Sequence, residues 1–300
     1  VVTTDADGQS HLKVELGRPI VYKGIKVIFF HREWSESFKY SRPLATWLEN
    51  NVKNFDLVDI FAIYSHSSLA AGRTAKKHGI PYIVLPLGML DPWAFKQKPI
   101  RKRLIWHLAV KELLENASAI QYTTDAEKEL AEKPLNLKKG VVIPCGVNEE
   151  IFSHEAGAFP FIQSFPFLGL SPYVLALNRI HPQKGLDLLI KVFLDVVARP
   201  GLKQWKLVIA GDGDPAYVKH LKNFVKENKG AKHIFFPGWV KGEEKLSLLC
   251  RASLLALPSF EENFGVAVAE AMACSIPVLV SRGVNLAKEI EKAEVFLEMI

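Results

Sequence analysis

The 300-residue sequence predicts an α/β protein of two doubly wound domains with parallel sheets. Apolar strand-like runs alternate with amphipathic helical stretches along the chain, as βαβ units require. Runs such as Leu207-Val-Ile-Ala210 are continuously apolar, as in strands covered on both faces. The composition breaks at residues 152–172, rich in Phe, Pro, Gly and Ser without helical periodicity, which reads as a linker. Domains are therefore expected at residues 1–151 and 173–300, and the length suffices for two cores.

In the first half, strands are expected at 26–30, 58–64, 82–85, 119–123 and 141–143, and helices at 42–51, 68–77, 101–116 and 125–132. In the second, strands are expected at 174–177, 206–210, 234–236, 254–257 and 278–280, and helices at 186–198, 216–229, 245–250 and 264–274. Leu186, Leu189, Ile190, Phe193 and Val197 give the helix at 186–198 its apolar stripe.

Apolar residues make up 49% and charged residues 23%, which excludes a disordered chain. The net charge of +6 suits nucleic acid, an anionic membrane surface or a phosphorylated substrate. No helix-turn-helix, zinc-finger or RNA-binding signature accompanies it, so no nucleic acid partner is expected. Cys145, Cys250 and Cys274 form no Cys-x-x-Cys pair, and each is expected to pack as a small hydrophobe in a reducing cytoplasm. Neither a signal peptide nor an apolar run of about 18 residues is present.

The densest signal is Glu262-Asn-Phe-Gly-Val-Ala-Val-Ala-Glu270, between the apolar runs at 252–258 and 276–280. Eight residues of helix rise about 12 Å, so the two carboxylates are spaced to touch opposite ends of an extended ligand. The positive helix N-terminus between them suits a phosphate. Val266, Ala267, Val268, Ala269, Ala271, Met272 and Ala273 surround Glu270, and a carboxylate buried there needs a partner. The second signal is Leu175-Ala-Leu-Asn-Arg-Ile-His-Pro-Gln-Lys-Gly185, a strand running through a basic loop into a helix. It places Arg179 and Lys184 at the strand end where such folds bind ligands.

These motifs resemble those of the retaining family-4 glycosyltransferases (glycosyl transferases group 1) that serve bacterial surface polysaccharide synthesis. The resemblance covers nearly the whole chain. It implies the GT-B fold, with two Rossmann-like domains facing across a cleft, an acceptor-binding one first and a nucleotide-sugar donor-binding one second. It also implies that both ends are truncated, since Val1-Val-Thr-Thr4 reads as a strand in progress and family members continue beyond Ile300.

By resemblance, Arg179 and Lys184 hold the donor diphosphate and stabilise the leaving group. Glu262 binds sugar hydroxyls, the Asn263, Phe264 and Gly265 backbone faces sugar or phosphate, and Glu270 accepts from the ribose diol. Gly211 lies near the nucleotide, and the segment ending at Val240 meets the base. Asn178 departs from the family, which often has Gly there.

On the acceptor side the resemblance points to Gly88, preceded by Leu87 where many family-4 enzymes have His. His66 ends the preceding strand and is the candidate to take over that role, with a helix-capping histidine as the competing reading. Ser41 is expected to border the acceptor pocket. Lys96-Gln-Lys-Pro-Ile-Arg-Lys-Arg103 opens a helix carrying Leu104, Ile105, Trp106 and Leu108, which suits an anionic membrane surface.

The expected activity is transfer of a hexosyl group from a nucleotide sugar to a glycan or lipid-linked acceptor, with retention of configuration. The leaving phosphate would help deprotonate the acceptor, and base, sugar and acceptor stay open. The enzyme is expected in the cytoplasm or on the inner face of the membrane. No metal is expected, because Asp5-Ala-Asp7 and Asp212-Gly-Asp214 read as loop and cap residues. A nicotinamide dehydrogenase is excluded by the lack of Gly-x-Gly-x-x-Gly after any strand. The alternatives are a non-catalytic nucleotide-sugar-binding module and a GT-B-fold sugar-nucleotide epimerase.

Overall fold

The computed structural model describes residues 1–92, 99–148, 164–293 and 296–298. The chain divides into two compact units, Val1–Ile143 and Pro144–Ile300.

In the first unit, β1 (Val2–Thr4) pairs in parallel with β5 (Ile25–Phe30), and β4 (Pro19–Tyr22) adds to β5 antiparallel. The sequence reading expected only parallel pairing. The antiparallel edge arises because Lys23 and Gly24, both left-handed, make the two-residue turn that matches hairpin twist. A second small hairpin joins β2 (Ala6–Asp7) to β3 (Ser10–His11). A four-stranded parallel sheet follows, ordered β6 (Val58–Phe61), β7 (Tyr82–Leu85), β8 (Ala119–Tyr122) and β9 (Gly140–Val142).

Its helices are capped by their own sequence. Ser41 caps α1 (Arg42–Asn51) and Ser65 caps α2 (His66–His78), while Thr124 caps α5 (Asp125–Leu135). Lys76, Lys77 and His78 face the negative end of α2, which closes on left-handed Gly79. The helix expected at 101–116 is broken. It runs as α3 (Pro99–Ile105), a π turn at Trp106–Val110, and α4 (Lys111–Glu115). The π turn buries Trp106, Ala109 and Val110 against Ile60, Val84 and Ile120.

The second unit is one parallel sheet. Its strands are β10 (Tyr173–Leu177), β11 (Lys206–Ala210), β12 (Ile234–Gly238), β13 (Leu254–Leu257), β14 (Val278–Val280) and β15 (Phe296–Glu298), in the spatial order β12-β11-β10-β13-β14-β15. The order reverses between β10 and β13, so this is the doubly wound topology with its switch point there. Alternate strand residues enter separate cores. Tyr173, Leu175, Val208 and Leu255 pack in one, and Val174, Ala176, Leu207 and Ile209 in the other.

The second of these cores takes the inner faces of α6 (Leu186–Val197) and α7 (Pro215–Glu227). The first takes α8 (Gly242–Cys250), α9 (Val266–Ala273) and α10 (Ala287–Lys292). Within the segment expected as linker, residues 152–163 lie outside the described residues, and Phe165 and Leu168 are buried in the first core.

Cys250 and Cys274, expected to pack separately, form a disulfide between the C-terminal ends of α8 and α9, with Cα atoms 5.2 Å apart. The fold brings together two residues 24 positions apart, which no local spacing announces. Among the described residues, no helix is long and apolar enough to cross a membrane.

Asp5 ties the start of the first unit together. Its Oδ1 accepts the Arg32 backbone N–H at 2.7 Å, and its Oδ2 faces Nδ1 of His11 and of His31 at 3.1 Å each. The Arg32 guanidinium donates to the carbonyls of Gly8, Gln9 and Ser10, which pins the β2–β3 turn. Burial alone would raise the Asp5 pKa, but the hydrogen bonds from Arg32, His11 and His31 outweigh it and hold the carboxyl below its ordinary value. Its stabilisation is therefore complete above the ordinary carboxylate range and fades as pH falls through the lowered folded value. Asp5→Asn is expected to cost about 1–3 kcal/mol at neutral pH and to flatten the acid limb of the stability curve. Urea unfolding between neutral and acid pH measures both, and an unchanged acid limb refutes the assignment.

Candidate functional site

The switch point in the second unit gathers the predicted donor residues. After β10 the chain runs close beside the loop after β11, with Ile180 N–H donating to the Asp212 carbonyl at 2.8 Å. A Cβ on Gly211 would stand 1.8 Å from the Asn178 carbonyl oxygen, so only glycine fits. Gly211 therefore holds two loops in register. Asp212 accepts the Gly213 N–H and Asp214 caps α7, the loop and cap roles expected of that Asp-x-Asp.

A 3₁₀ turn at Pro182–Lys184 then delivers the chain to α6 through left-handed Gly185. A Cβ on Gly185 would meet the Pro258 carbonyl at 2.3 Å, because the loop from β10 presses against the end of β13. Phe260 N–H donates to the Gln183 carbonyl at 2.8 Å and ties the two loops. Across this junction Lys184 Nζ forms an ion pair with Glu262 Oε2. Glu262 is itself held by backbone, its N–H on the Gly283 carbonyl and its carbonyl on the Asn285 N–H. Arg179 is exposed and forms no ion pair with any described residue. Both amide atoms of Asn178 are buried without a hydrogen-bond partner among the described residues, so this departure leaves unspent polar capacity beside Arg179.

The helix α9 starts at left-handed Gly265 with no side-chain cap, so its positive end is free to meet an anion. Phe264 is buried, which leaves its backbone to face a ligand, and Asn263 is half-buried. Glu270, on α9, is 8% exposed, and its carboxylate accepts from Lys245 Nζ at 2.6 Å. Lys245, in the early part of α8, is the partner of this candidate site carboxylate, and sequence reasoning missed it. The signal was the need for a cation beside a carboxylate on an apolar helix. Val240 lies in the core of this unit, so only its backbone can serve a ligand.

In the first unit, Ser41 is fully buried and its hydroxyl accepts the Leu44 N–H, so the capping of α1 occupies it. His66 opens α2, but Ser65 provides the cap. The His66 Nδ1 instead accepts the Ser41 N–H at 3.3 Å. Burial, then the nearby Arg73, lower its pKa against a smaller opposing pull from Glu33. Leu87 and Gly88 are both left-handed, and the Gly88 N–H donates to Glu127 Oε1 at 2.8 Å. Glu127, 4% exposed, spends its other oxygen on Thr123 and is a loop-positioning residue the sequence did not announce.

Asp5, His11 and His31 have ligand atoms within 4.8 Å of one another, a spacing a cation can use. Asp5 is already satisfied by three donors, and Arg32 Nη2 approaches His11 Nε2 at 3.4 Å, which favours a proton on the His11 Nδ1. This is the chemistry of a hydrogen-bonded network.

Residues 1–151 match the family model described as Glycosyltransferase Family 4, and residues 161–297 the one described as Glycosyl transferases group 1. The chain belongs to glycosyltransferase family 4. It is similar to an uncharacterised glycosyltransferase of Methanocaldococcus jannaschii, 33% identical over 148 residues, or 49% of this chain and 36% of that one. It is also similar to the GDP-mannose-dependent alpha-(1-6)-phosphatidylinositol monomannoside mannosyltransferase of Mycolicibacterium smegmatis, 28% identical over 147 residues, or 47% of this chain and 37% of that one. The matched segments thus span little more than a third of either relative. The fold is GT-B, and it resembles the crystal structure of Anabaena Alr3699/HepE in complex with UDP and glucose. The TM-score is 0.70 at 20% identity, covering 88% of this chain and 70% of that one.

The Lys184–Glu262 pair is well shielded, with side chains 8% and 20% exposed. Lys184→Met strands a carboxylate and is expected to cost about 3 kcal/mol. Adding Glu262→Gln should restore most of that stability, so unfolding of the two single variants and the double variant should show strong coupling. Additive costs would mean that the pair does not hold the loops together.

Proposed function

We propose that this chain forms the core of a retaining hexosyltransferase that moves sugar from a nucleotide donor to a glycan or lipid-linked acceptor. The observation that carries the reading is the convergence at the β10/β13 switch point. Lys184, Arg179 and the uncapped α9 N-terminus gather positive charge there, and Glu262 and Glu270 flank it as acceptors for hydroxyls. A sugar–diphosphate–nucleoside has the complementary layout. On this reading Arg179 and Lys184 stabilise charge on the departing diphosphate, which is commonly the largest part of rate enhancement. Glu262 orients the sugar and Glu270 the ribose.

A nucleotide sugar as partner is supported by both similar proteins of named ligand. One is named for GDP-mannose and the other was crystallised with UDP and glucose. The reading requires no metal, so activity is expected to survive EDTA.

Calorimetric binding of UDP, GDP and ADP tests the donor site. One of them should bind, and Glu270→Ala should weaken it at least tenfold by removing the ribose acceptor. Binding of none refutes the donor assignment. Nuclear magnetic resonance of the product then reads retention from the anomeric configuration. Nucleotide-sugar binding without nucleoside diphosphate release would mark a binding module, and epimerised donor in the absence of acceptor would mark an epimerase.

We further propose that α3 and its π turn rest on an anionic membrane at the cytoplasmic face. Ile100, Leu104 and Leu108 recur every four residues and are 86%, 60% and 68% exposed. Exposed Arg103 lies between Ile100 and Leu104 and exposed Lys111 follows Leu108, the pattern of an interfacial helix, while Lys102 sits over the Tyr64 ring at 5.5 Å. Lys96 and Lys98, part of the same basic run, lie outside the described residues. The lipid-linked acceptor in the mycobacterial relative's name supports the same placement. The chain is expected to co-sediment with phosphatidylglycerol vesicles in a salt-sensitive way and not with phosphatidylcholine alone, and Leu104→Glu with Leu108→Glu should abolish this. Equal recovery on both vesicle types refutes it.

A further inference from the structure

We infer that the loop after β5 is a stacking platform for a sugar ring of the acceptor, with Trp34 as its face. The inference rests on the glycosyl-transfer reading and assigns the first unit's ligand to the hexopyranose class.

The loop is built as a rigid presenter. Glu33 N–H donates to the Tyr40 carbonyl at 2.9 Å and Tyr40 N–H to the Trp34 carbonyl at 3.2 Å, which closes a narrow antiparallel bridge. Its turn uses left-handed backbone at Ser35 and Lys39, neither of them glycine. Such backbone persists only where the surroundings enforce it, and it gathers at functional sites. The base is anchored three times. The Glu33 carboxylate accepts the Arg42 N–H at 2.6 Å, the Phe38 carbonyl accepts the His66 N–H at 2.7 Å, and His66 Nδ1 accepts the Ser41 N–H.

On this frame sits a cluster of aromatic rings, its base formed by Phe38, Tyr40 and His66. Trp34 lies on Tyr40 with centroids 5.0 Å apart and planes 26° apart, and Tyr40 meets the His66 ring at 4.4 Å with planes tilted by 51°. Trp34 is nonetheless 59% exposed. A tryptophan braced on one side and open to water is a flat, immobilised apolar surface. A hexopyranose offers the matching partner, because one of its faces carries polarised C–H groups that are attracted to the negative face of an aromatic ring.

The neighbours suit hydroxyls. His31, half exposed, points its Nδ1 at Asp5, which orients the ring and leaves Nε2 available to a ligand. Three residues of chain reach at most about 10 Å, so one oligosaccharide can meet both His31 and Trp34. Glu33, with one carboxylate oxygen on the Arg42 N–H, and Glu36, paired with Lys39 at 3.9 Å, flank Trp34 in sequence and add polar groups to the loop. The loop also follows the carboxyl end of β5, beside the carboxyl end of β1, the edge at which α/β sheets take ligands.

The test is saturation-transfer nuclear magnetic resonance on the whole chain, with methyl α- and β-glucosides, mannosides, galactosides and rhamnosides as probes. Wild type, Trp34→Phe, Trp34→Ala and His31→Ala are compared, with nucleotide affinity measured in parallel. Transfer to ring protons of at least one glycoside is expected. Trp34→Phe should stay within threefold of wild type, and Trp34→Ala should lose at least tenfold with nucleotide affinity unchanged. The inference is overturned if no glycoside binds wild type, or if Trp34→Ala binds as well as wild type. It is also overturned if Trp34→Ala loses vesicle binding and keeps glycoside binding. Trp34-dependent glycoside binding in a chain that binds no nucleotide would sink the donor reading and leave the platform standing.

Discussion

The loops that leave β10 and β13 are pinned against each other at the carboxyl edge of the sheet, and the second unit is organised around that junction. Gly185 lets one loop press against Pro258, and Gly211 lets its neighbour zip onto Asn178. Neither approach tolerates a Cβ, so glycine at both positions fixes how closely the loops meet. That fixity allows Lys184 and Glu262, 78 residues apart, to meet as a pair. A looser junction would pay the entropy of aligning two long side chains and gain little from their attraction.

Both carboxylates of the Glu motif already hold a lysine, Lys184 on Glu262 and Lys245 on Glu270. On the proposed donor reading, each pair engages groups that a ligand would use. A diphosphate competes for the lysines and hydroxyls compete for the carboxylates, so binding exchanges one set of charge-assisted hydrogen bonds for another. The net gain from such an exchange is small per contact, which favours discrimination over raw affinity. Arg179, exposed and without an ion-pair partner among the described residues, is the cation whose gain on meeting a phosphate is not offset by a broken pair.

Legibility in the sequence follows the range of the interaction. The Glu262–Glu270 segment and the Lys184-Gly185 helix start are local patterns, and the structure shows a helix entered through Gly265 and another through Gly185 there. Strands β7, β11, β13 and β14 fall at the residues expected because each is an apolar run bounded by breakers. Edge strand β4 went unread although Lys23-Gly24 marks its turn, since the reading weighed apolar continuity above turn chemistry. The partnership of Lys245 with Glu270, the grip of Glu127 on Gly88 and the Cys250–Cys274 bond depend on tertiary approach. Trp34 is the instructive miss. In sequence an aromatic in a polar loop is unremarked, and only its exposure on a braced stack singles it out.

The environment of His66 limits what the ring can do chemically. Its Nδ1 accepts the Ser41 N–H, so the neutral ring carries its proton on Nε2. Burial and Arg73 keep the ring neutral to lower pH than a free histidine. A histidine in that state can donate a hydrogen bond from Nε2 but has no lone pair left to receive a proton. It can therefore position an acceptor or donor oxygen, and it cannot act as the base. Leu87, where many family members carry histidine, offers no base either. The tautomer of His66 thus makes it a hydrogen-bond donor within the first unit and denies it the part of a base.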